Sequence, residues 1–256
     1  MITSTSNTQI KNVINLIKKS KDRKAQGLFV VEGKRMFEET PKERIHSLFV
    51  SESFERANKD SLRGYAYELV ADDVFSHMSD TKTPQGVMAL VKMSEYSIED
   101  MLKGGNPLIM ILENLQDPGN LGTILRMGEG AGVTGVVMSS NTVDIYNPKT
   151  IRSTMGSIFR VPFVYVQDFS DAVSQCQNAG IKVYAAHLDG KNTYLGEDYR
   201  EGTAFLIGNE GNGLTDDITK QADILIRIPM QGEVESLNAA IACTILTYEA
   251  VRQRSV

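Results

Sequence analysis

The sequence predicts two α/β domains in tandem, a small one over residues 1–95 and, after a linker at 96–106, a larger parallel-sheet domain over 107–256. Three observations predict this. Apolar runs such as "LIMIL", "TGVVMS" and "AFLIG" have the unbroken hydrophobicity of strands buried on both faces, and helical patterns separate them. The breaker "GGNP", Gly104 to Pro107, interrupts the chain between the two halves. Before it, strands and short helices alternate on a smaller scale.

In order, "TQIKNVINLIKKS" places Ile10, Val13, Ile14 and Ile17 at helical spacing. "GLFVVEG" and "HSLFVS" read as strands with the helix "GKRMFEET" between them, and "YAYELVADDVFSHMSD" as a strand and a helix. "QGVMALVKM" closes the first domain. The linker holds a short helix within "SEYSIEDMLKGGNP". Strand "LIMIL" then leads to helix "NLGTILRMGEGAG", strand "TGVVMS", helix "PKTIRSTMGS", strand "VPFVYV" and helix "FSDAVSQCQNAG". Strands "KVYAA", "AFLIG" and "ILIRI" follow, and a helix from Ser236 to Arg252 ends the pattern, with Ser236 as its expected cap.

Composition narrows the function classes. The 41% hydrophobic and 23% charged content is that of a soluble globular protein. No run approaches the roughly 20 apolar residues of a membrane helix, and the polar start "MITSTSNTQIKN" lacks a signal-peptide core. The expected compartment is therefore the cytoplasm. Cys176 and Cys243 lie far apart, and with only three histidines no metal site is expected. A net charge of −5 hides a gradient. Within residues 1–36, Lys11, Lys18, Lys19, Lys21, Arg23, Lys24, Lys34 and Arg35 face only Asp22 and Glu32. Composition alone leaves open whether this is a phosphate-binding face or a solvated helix.

Ligands of α/β sheets bind beyond the carboxyl ends of the strands, so the loops there hold the candidate site. After "LIMIL", the turn at Asp117-Pro118-Gly119 is followed by Asn120, a possible cap, and by Arg126 inside an apolar stretch. After "AFLIG", the loop "GNEGNG" sets Glu210 among glycines that permit close backbone approach. After "ILIRI", "PMQGEVESLN" ends in Ser236 and Asn238. GxxxxGK[ST] does not occur, and GxGxxG occurs only as "GAGVTG", Gly130 to Gly135, which leads from a helix into a strand and not from a strand into a helix; this disfavours a nucleotide cofactor bound by either motif. Taken singly, each loop reads as ordinary turn and capping chemistry.

Together, "NLGTILR", "IGNEGNG" and "IPMQGEVESLNAAIA" resemble, in order and spacing, the three motifs of the SpoU family of RNA ribose 2′-O-methyltransferases, within the SPOUT superfamily. The N-terminal "SKDRKAQGLFVVEG" and "TKTPQGVMALV" resemble the substrate-binding domain of many members, related to kink-turn-binding ribosomal proteins. The resemblance implies a deep trefoil knot in the C-terminal domain, a homodimer formed through it, and S-adenosylmethionine as cofactor. Carried over by position, Arg126, Asn120, Glu210, Ser236 and Asn238 are the implied catalytic set. Gly208, Asn209, Ile228, Leu237, Met138 and Met230 are the implied cofactor contacts, and Lys18, Lys19, Lys21, Arg23, Lys24, Lys34 and Arg35 the RNA contacts.

The implied reaction moves a methyl group to a ribose 2′-hydroxyl of RNA, most readily ribosomal RNA. With a pKa above about 12, Arg126 is suited to clamp a phosphate and stabilise a developing alkoxide; a general-base role stays open. Glu210 can pair with Arg126 or hydrogen-bond to ribose. A transfer RNA target, an antibiotic-resistance methylase, a non-catalytic RNA-binding or ribosome-assembly protein and an unrelated nucleotide-dependent transferase are the alternatives.

Overall fold

In the computed structural model, which describes residues 1–234 and 236–255, the chain forms two compact units. Unit 1 holds residues 1–94 together with 144–159, and unit 2 holds 95–143 and 160–256. No helix among the described residues is long and apolar enough to cross a membrane.

Unit 1 starts with α1 (Thr8–Lys18), capped by the Asn7 side chain, which accepts from the Gln9 amide. Its apolar spacing buries Ile10, Val13, Leu16 and Ile17. After α2 (Ser20–Gln26) come β1 (Leu28–Glu32), α3 (Lys34–Glu39), β2 (Ile45–Ser51), α4 (Glu52–Ala57), β3 (Glu68–Val70), α5 (Asp72–Met78) and β4 (Val87–Lys92). The sheet runs β1-β4-β2-β3, with β4 antiparallel to both neighbours and β3 parallel to β2. Under it, α1 and α5 pack Val13, Leu16 and Phe75 against Val30, Phe49 and Met88.

Unit 2 opens with α6 (Ile98–Leu102), set by a Ser97/Asp100 capping box, then β5 (Leu108–Leu112), α7 (Pro118–Ala131) and β6 (Gly135–Ser139). The next helix, α8 (Pro148–Thr154), belongs to unit 1, where Tyr146 lies 4.6 Å from the Phe29 ring. Unit 2 resumes with β7 (Phe163–Val166), α9 (Phe169–Asn178), β8 (Lys182–Ala186), β9 (Asn192–Thr193), β10 (Thr203–Ile207), α10 (Asp216–Gln221), β11 (Ile224–Arg227) and α11 (Ala239–Arg254). Every pairing in its seven-stranded sheet, ordered β7-β6-β5-β10-β8-β11-β9, is parallel.

Alternate residues of the strands meet different layers. Ile109 and Ile111 of β5 pack with Val173 and Cys176 of α9 and Ile218 of α10. On the opposite face Met110 meets Thr247 of α11. Burial on both faces is why these strands read as continuous apolar runs. The late strand β10 lies between β5 and β8, so the loops after β5, β8, β10 and β11 share one edge.

Two helix starts differ from the sequence expectation. Asp117 caps α7, accepting from the Asn120 amide at 2.8 Å, with Pro118 at the first helical position, so Asn120 lies inside the first turn. Asn238, not Ser236, caps α11. Both are good capping residues, but Asn238 lies adjacent to the helical run and Ser236 two residues before Asn238. The helices α2, α4 and α10 and the two-residue β9 were too short to stand out by periodicity.

Candidate active site

The three motif loops converge at the carboxyl edge of the unit 2 sheet. Asn238 directs its Oδ1 at the amides of Ala240 and Ile241, at 3.0 and 3.3 Å, because the first turn of α11 offers only donors. Its Nδ2 therefore faces outward and donates to Asn120 Oδ1 at 2.9 Å. Asn120 Nδ2 in turn donates to Glu210 Oε1 at 2.9 Å. One residue from each motif thus forms a directed chain whose sense is fixed at both ends, by helix amides and by a carboxylate.

Glu210 is an acceptor throughout. Besides Asn120, it takes the Asp117 amide on Oε1 at 3.1 Å and the Gln116 amide on Oε2 at 3.0 Å. Partial burial pushes its pKa up, but these hydrogen bonds outweigh burial and hold it below the ordinary 4.5. Glu210 is given to Asn120 and to the loop after β5, not to Arg126.

Around Gly208 the loop after β10 is closely folded. A Cβ there would lie 2.1 Å from the carbonyl carbon of Gly213, so no side chain fits. Asn209 and Gly213 exchange backbone hydrogen bonds, and Asn209 Oδ1 accepts the amides of Gly211 and Asn212. Asn209 Nδ2 donates to the Asn114 carbonyl at 2.8 Å, tying this loop to the one after β5. Its side chain is thus committed to loop structure.

Beside this network lies a pocket of about 410 Å³, within the size range of small-molecule sites. Gly208, Asn209, Ile228, Met230, Ser236 and Leu237 line it, as expected from the motifs. Ile207, Leu214 and Ile226 make it largely apolar, and His187 and Asp189 from the loop after β8 add polar groups. Met138 is a correction: it is fully buried in β6, paired with Leu112 and Tyr165, and does not line the pocket. The strand is buried on both faces, so either orientation would leave this side chain in the core.

Arg126 is exposed on α7, six residues beyond Asn120, and does not line the pocket. Among the described residues its side chain makes no hydrogen bond or ion pair. Its guanidinium is free to meet a ligand.

In unit 1, Lys18, Lys19, Lys21, Lys24, Lys34 and Arg35 are exposed. Arg23 is a second correction. It is only 4% exposed, donates to the carbonyls of Leu16 and Ile17 at 2.7 and 3.1 Å, and pairs with Asp144. Burial pushes the Asp144 carboxyl up, and Arg23, together with hydrogen bonds from Ser20 and the Tyr146 amide, outweighs that and holds it below 3.8. Arg23 is a buried structural cation, unavailable to RNA.

Sequence reasoning missed Gln116 and Asn114. Gln116 Nε2 bridges the carbonyls of Asn114 and Asn141, joining the loops after β5 and β6. Asn114 adopts φ 54°, a conformation that asparagine tolerates better than most residues. That tolerance, in "ENLQDP" after an apolar strand, is the signal that could have found it.

The chain matches the SpoU rRNA Methylase family over residues 107–248 and the MRM3-like substrate binding domain over 7–89. It is 32% identical to the 23S rRNA (guanosine(2553)-2′-O)-methyltransferase RlmP of Bacillus subtilis, covering 96% of this chain and 97% of that protein. The AdoMet-bound rRNA methyltransferase of Sinorhizobium meliloti superposes with a TM-score of 0.87 at 31% identity, covering 98% of this chain and 97% of that one. AviRb of Streptomyces viridochromogenes, a SpoU methyltransferase solved with AdoMet, gives 0.87 at 28% identity over 97% of this chain and 98% of that one.

Proposed function

The chain belongs to the SpoU rRNA Methylase family, and we propose that it methylates a ribose 2′-hydroxyl of ribosomal RNA with S-adenosylmethionine as methyl donor. The observation that carries this reading is the Asn238–Asn120–Glu210 chain, which joins the three family motifs at the rim of one pocket.

The pocket residues fit the cofactor. Its volume suits a ligand of that size, its apolar walls suit an adenine ring, and the carboxylates of Asp189 and Glu210 suit a cationic molecule. S-adenosylmethionine supplies an electrophilic methyl group when bound. The backbone around Gly208, Ile228 and Leu237 and the Met230 side chain would hold it, while Asn209 keeps the loop in shape.

What remains for the protein is to orient the ribose and help its hydroxyl lose a proton. Arg126 is assigned that work because its guanidinium has no partner of its own among the described residues. It can grip an RNA phosphate bidentately and stabilise the oxygen as negative charge develops. Asn120, Asn238 and Glu210 keep the surrounding loops in register, and Ser236 lines the pocket. Arg126→Lys keeps the charge but loses the planar fork, so turnover should fall on the order of 100-fold, as for a lost oxyanion donor. S-adenosylmethionine binding should persist in that variant, and near-normal turnover would remove Arg126 from the mechanism.

In this reading residues 1–95 bind RNA, 96–106 link, and 107–256 catalyse. The knotted path of SPOUT proteins belongs to the same proposal, supported by β10 entering between β5 and β8 after both are made. A homodimer through unit 2 is supported by Ile241 and Tyr248 of α11, 50% and 46% exposed on a largely apolar helix. The place of action is the cytoplasm. Calorimetry with S-adenosylmethionine, then mapping of 2′-O-methyl groups in RNA from cells with and without the protein, tests the reading. A ribosomal nucleotide whose methylation depends on the chain is expected. Absence of cofactor binding would overturn the reading, and a transfer RNA target would overturn the ribosomal assignment.

A further inference from the structure

The loop after β10 forms one wall of the pocket, and both of its ends are held by Glu113, a residue that the implied catalytic and cofactor sets leave out. Every residue from Gly208 to Leu214 lines the pocket. At the entrance to this loop the Glu113 amide donates to the Ile207 carbonyl at 2.9 Å, which extends the pairing of β5 with β10 by one bond. At the exit the Glu113 carboxylate accepts the Thr215 amide on Oε2 at 2.8 Å and the Thr215 hydroxyl on Oε1 at 2.7 Å.

Two features set this bracket apart from ordinary turn chemistry. Glu113 is only 5% exposed, and a carboxylate taken out of water needs donors; Thr215 supplies one to each oxygen. Thr215 also stands at the N-cap of α10, where a threonine ordinarily turns its oxygen to the first-turn amides, yet it makes no such bond. Its hydroxyl goes to Glu113 instead, so α10 lacks that cap and the loop exit is tied to β5. The two ends of the loop also touch. A Cβ on Gly208 would lie 2.2 Å from the Leu214 amide nitrogen, and Leu214 packs with Ile109, Ile111 and Ile218, so a shift at the exit is felt at the entrance.

We propose that Glu113 is a positioning residue for the cofactor: by bonding both Ile207 and Thr215 it holds the wall from Gly208 to Leu214 in the shape that receives S-adenosylmethionine before the ligand arrives. The inference rests on the cofactor reading above. Glu113 does not itself line the pocket, so it acts on the ligand through the loop. A wall ordered in advance spares the ligand the cost of ordering it, so loss of the bracket weakens binding more than it slows the chemical step.

Calorimetry of the full chain with S-adenosylmethionine tests this, with circular dichroism to establish that each variant is folded. Thr215→Val keeps the shape, the backbone amide and the Glu113 charge but has no hydroxyl for Oε1. It should raise the Kd about tenfold, the scale of one hydrogen bond to a charged group, with a smaller fall in kcat at saturating cofactor. Thr215→Ser keeps the hydroxyl and should bind as the wild type does. Glu113→Gln should also weaken binding, and combining it with Thr215→Val should cost little beyond the weaker single variant, because both changes break the same contact. Wild-type affinity in folded Thr215→Val, equal losses in Thr215→Val and Thr215→Ser, or additive losses in the double variant would each overturn the proposal. A wild type that binds no S-adenosylmethionine overturns the cofactor reading itself, whereas wild-type binding with unaffected variants removes only the role of Glu113.

Discussion

Asn120 and Glu210 are 90 residues apart in sequence and 2.9 Å apart in space, and their contact works only with an amide on one side and an ionised carboxylate on the other. Asn120→Asp would face Glu210 with a second carboxylate, and two such groups cannot both ionise without cost. The pair would then titrate as a unit with one pKa raised. In the wild type the sign is opposite. A carboxyl whose folded pKa lies below 4.5 contributes stability that is fully present above that value and lost as pH falls through the folded one. Wild-type turnover should thus be independent of Glu210 from about pH 6 upward. The Asn120→Asp enzyme should be weak at neutral pH and recover as the pair takes up a proton on acidification. Parallel pH–rate profiles for the two proteins would sink this account. The sequence names both residues but offers Glu210 either Arg126 or a ribose hydroxyl as its partner, because motif order carries no distances.

At the scale of the element, α11 illustrates what was legible and what was not. The helix was readable from its small and apolar run, and its end at Arg254 lies two residues from the expected Arg252. Its start was misplaced because Ser236 and Asn238 both look like caps, and only the backbone tells which one precedes the first helical residue. Asn238 consequently does two things, and substitutions can separate them. Asn238→Asp keeps the acceptor that caps Ala240 and Ile241 but has no donor for Asn120 Oδ1. It should melt within a few degrees of wild type and lose turnover. Asn238→Ala removes the cap as well, at about 1 kcal/mol. If Asn238→Asp instead turned over normally, the bond to Asn120 would be dispensable. Met138 and Arg23 were misread for a related reason. A methionine in a strand and an arginine in a basic run look the same in sequence whether they face a ligand or the core.

Across the whole molecule, chain order and spatial grouping part company at residues 144–159, which lie between two strands of unit 2 and pack with unit 1. Periodicity gives elements but not their partners, so the parallel sheet could be read and this excursion could not. The same limit applies to assembly. On α11, Ala239, Ala240, Cys243, Leu246 and Ala250 are buried, while Ile241 and Tyr248, seven residues apart along one face, remain half exposed. Two large apolar side chains left exposed on one face of a core helix argue for a second chain there. Ile241→Lys combined with Tyr248→Lys tests it. Within one chain these are surface changes, for which stability normally moves by less than about 0.5 kcal/mol. In a dimer they would set four cations against a desolvated interface, and the assembly should separate into single chains in sedimentation velocity. Wild-type protein that sediments as a single chain at micromolar concentration would show that the exposed face of α11 meets water alone.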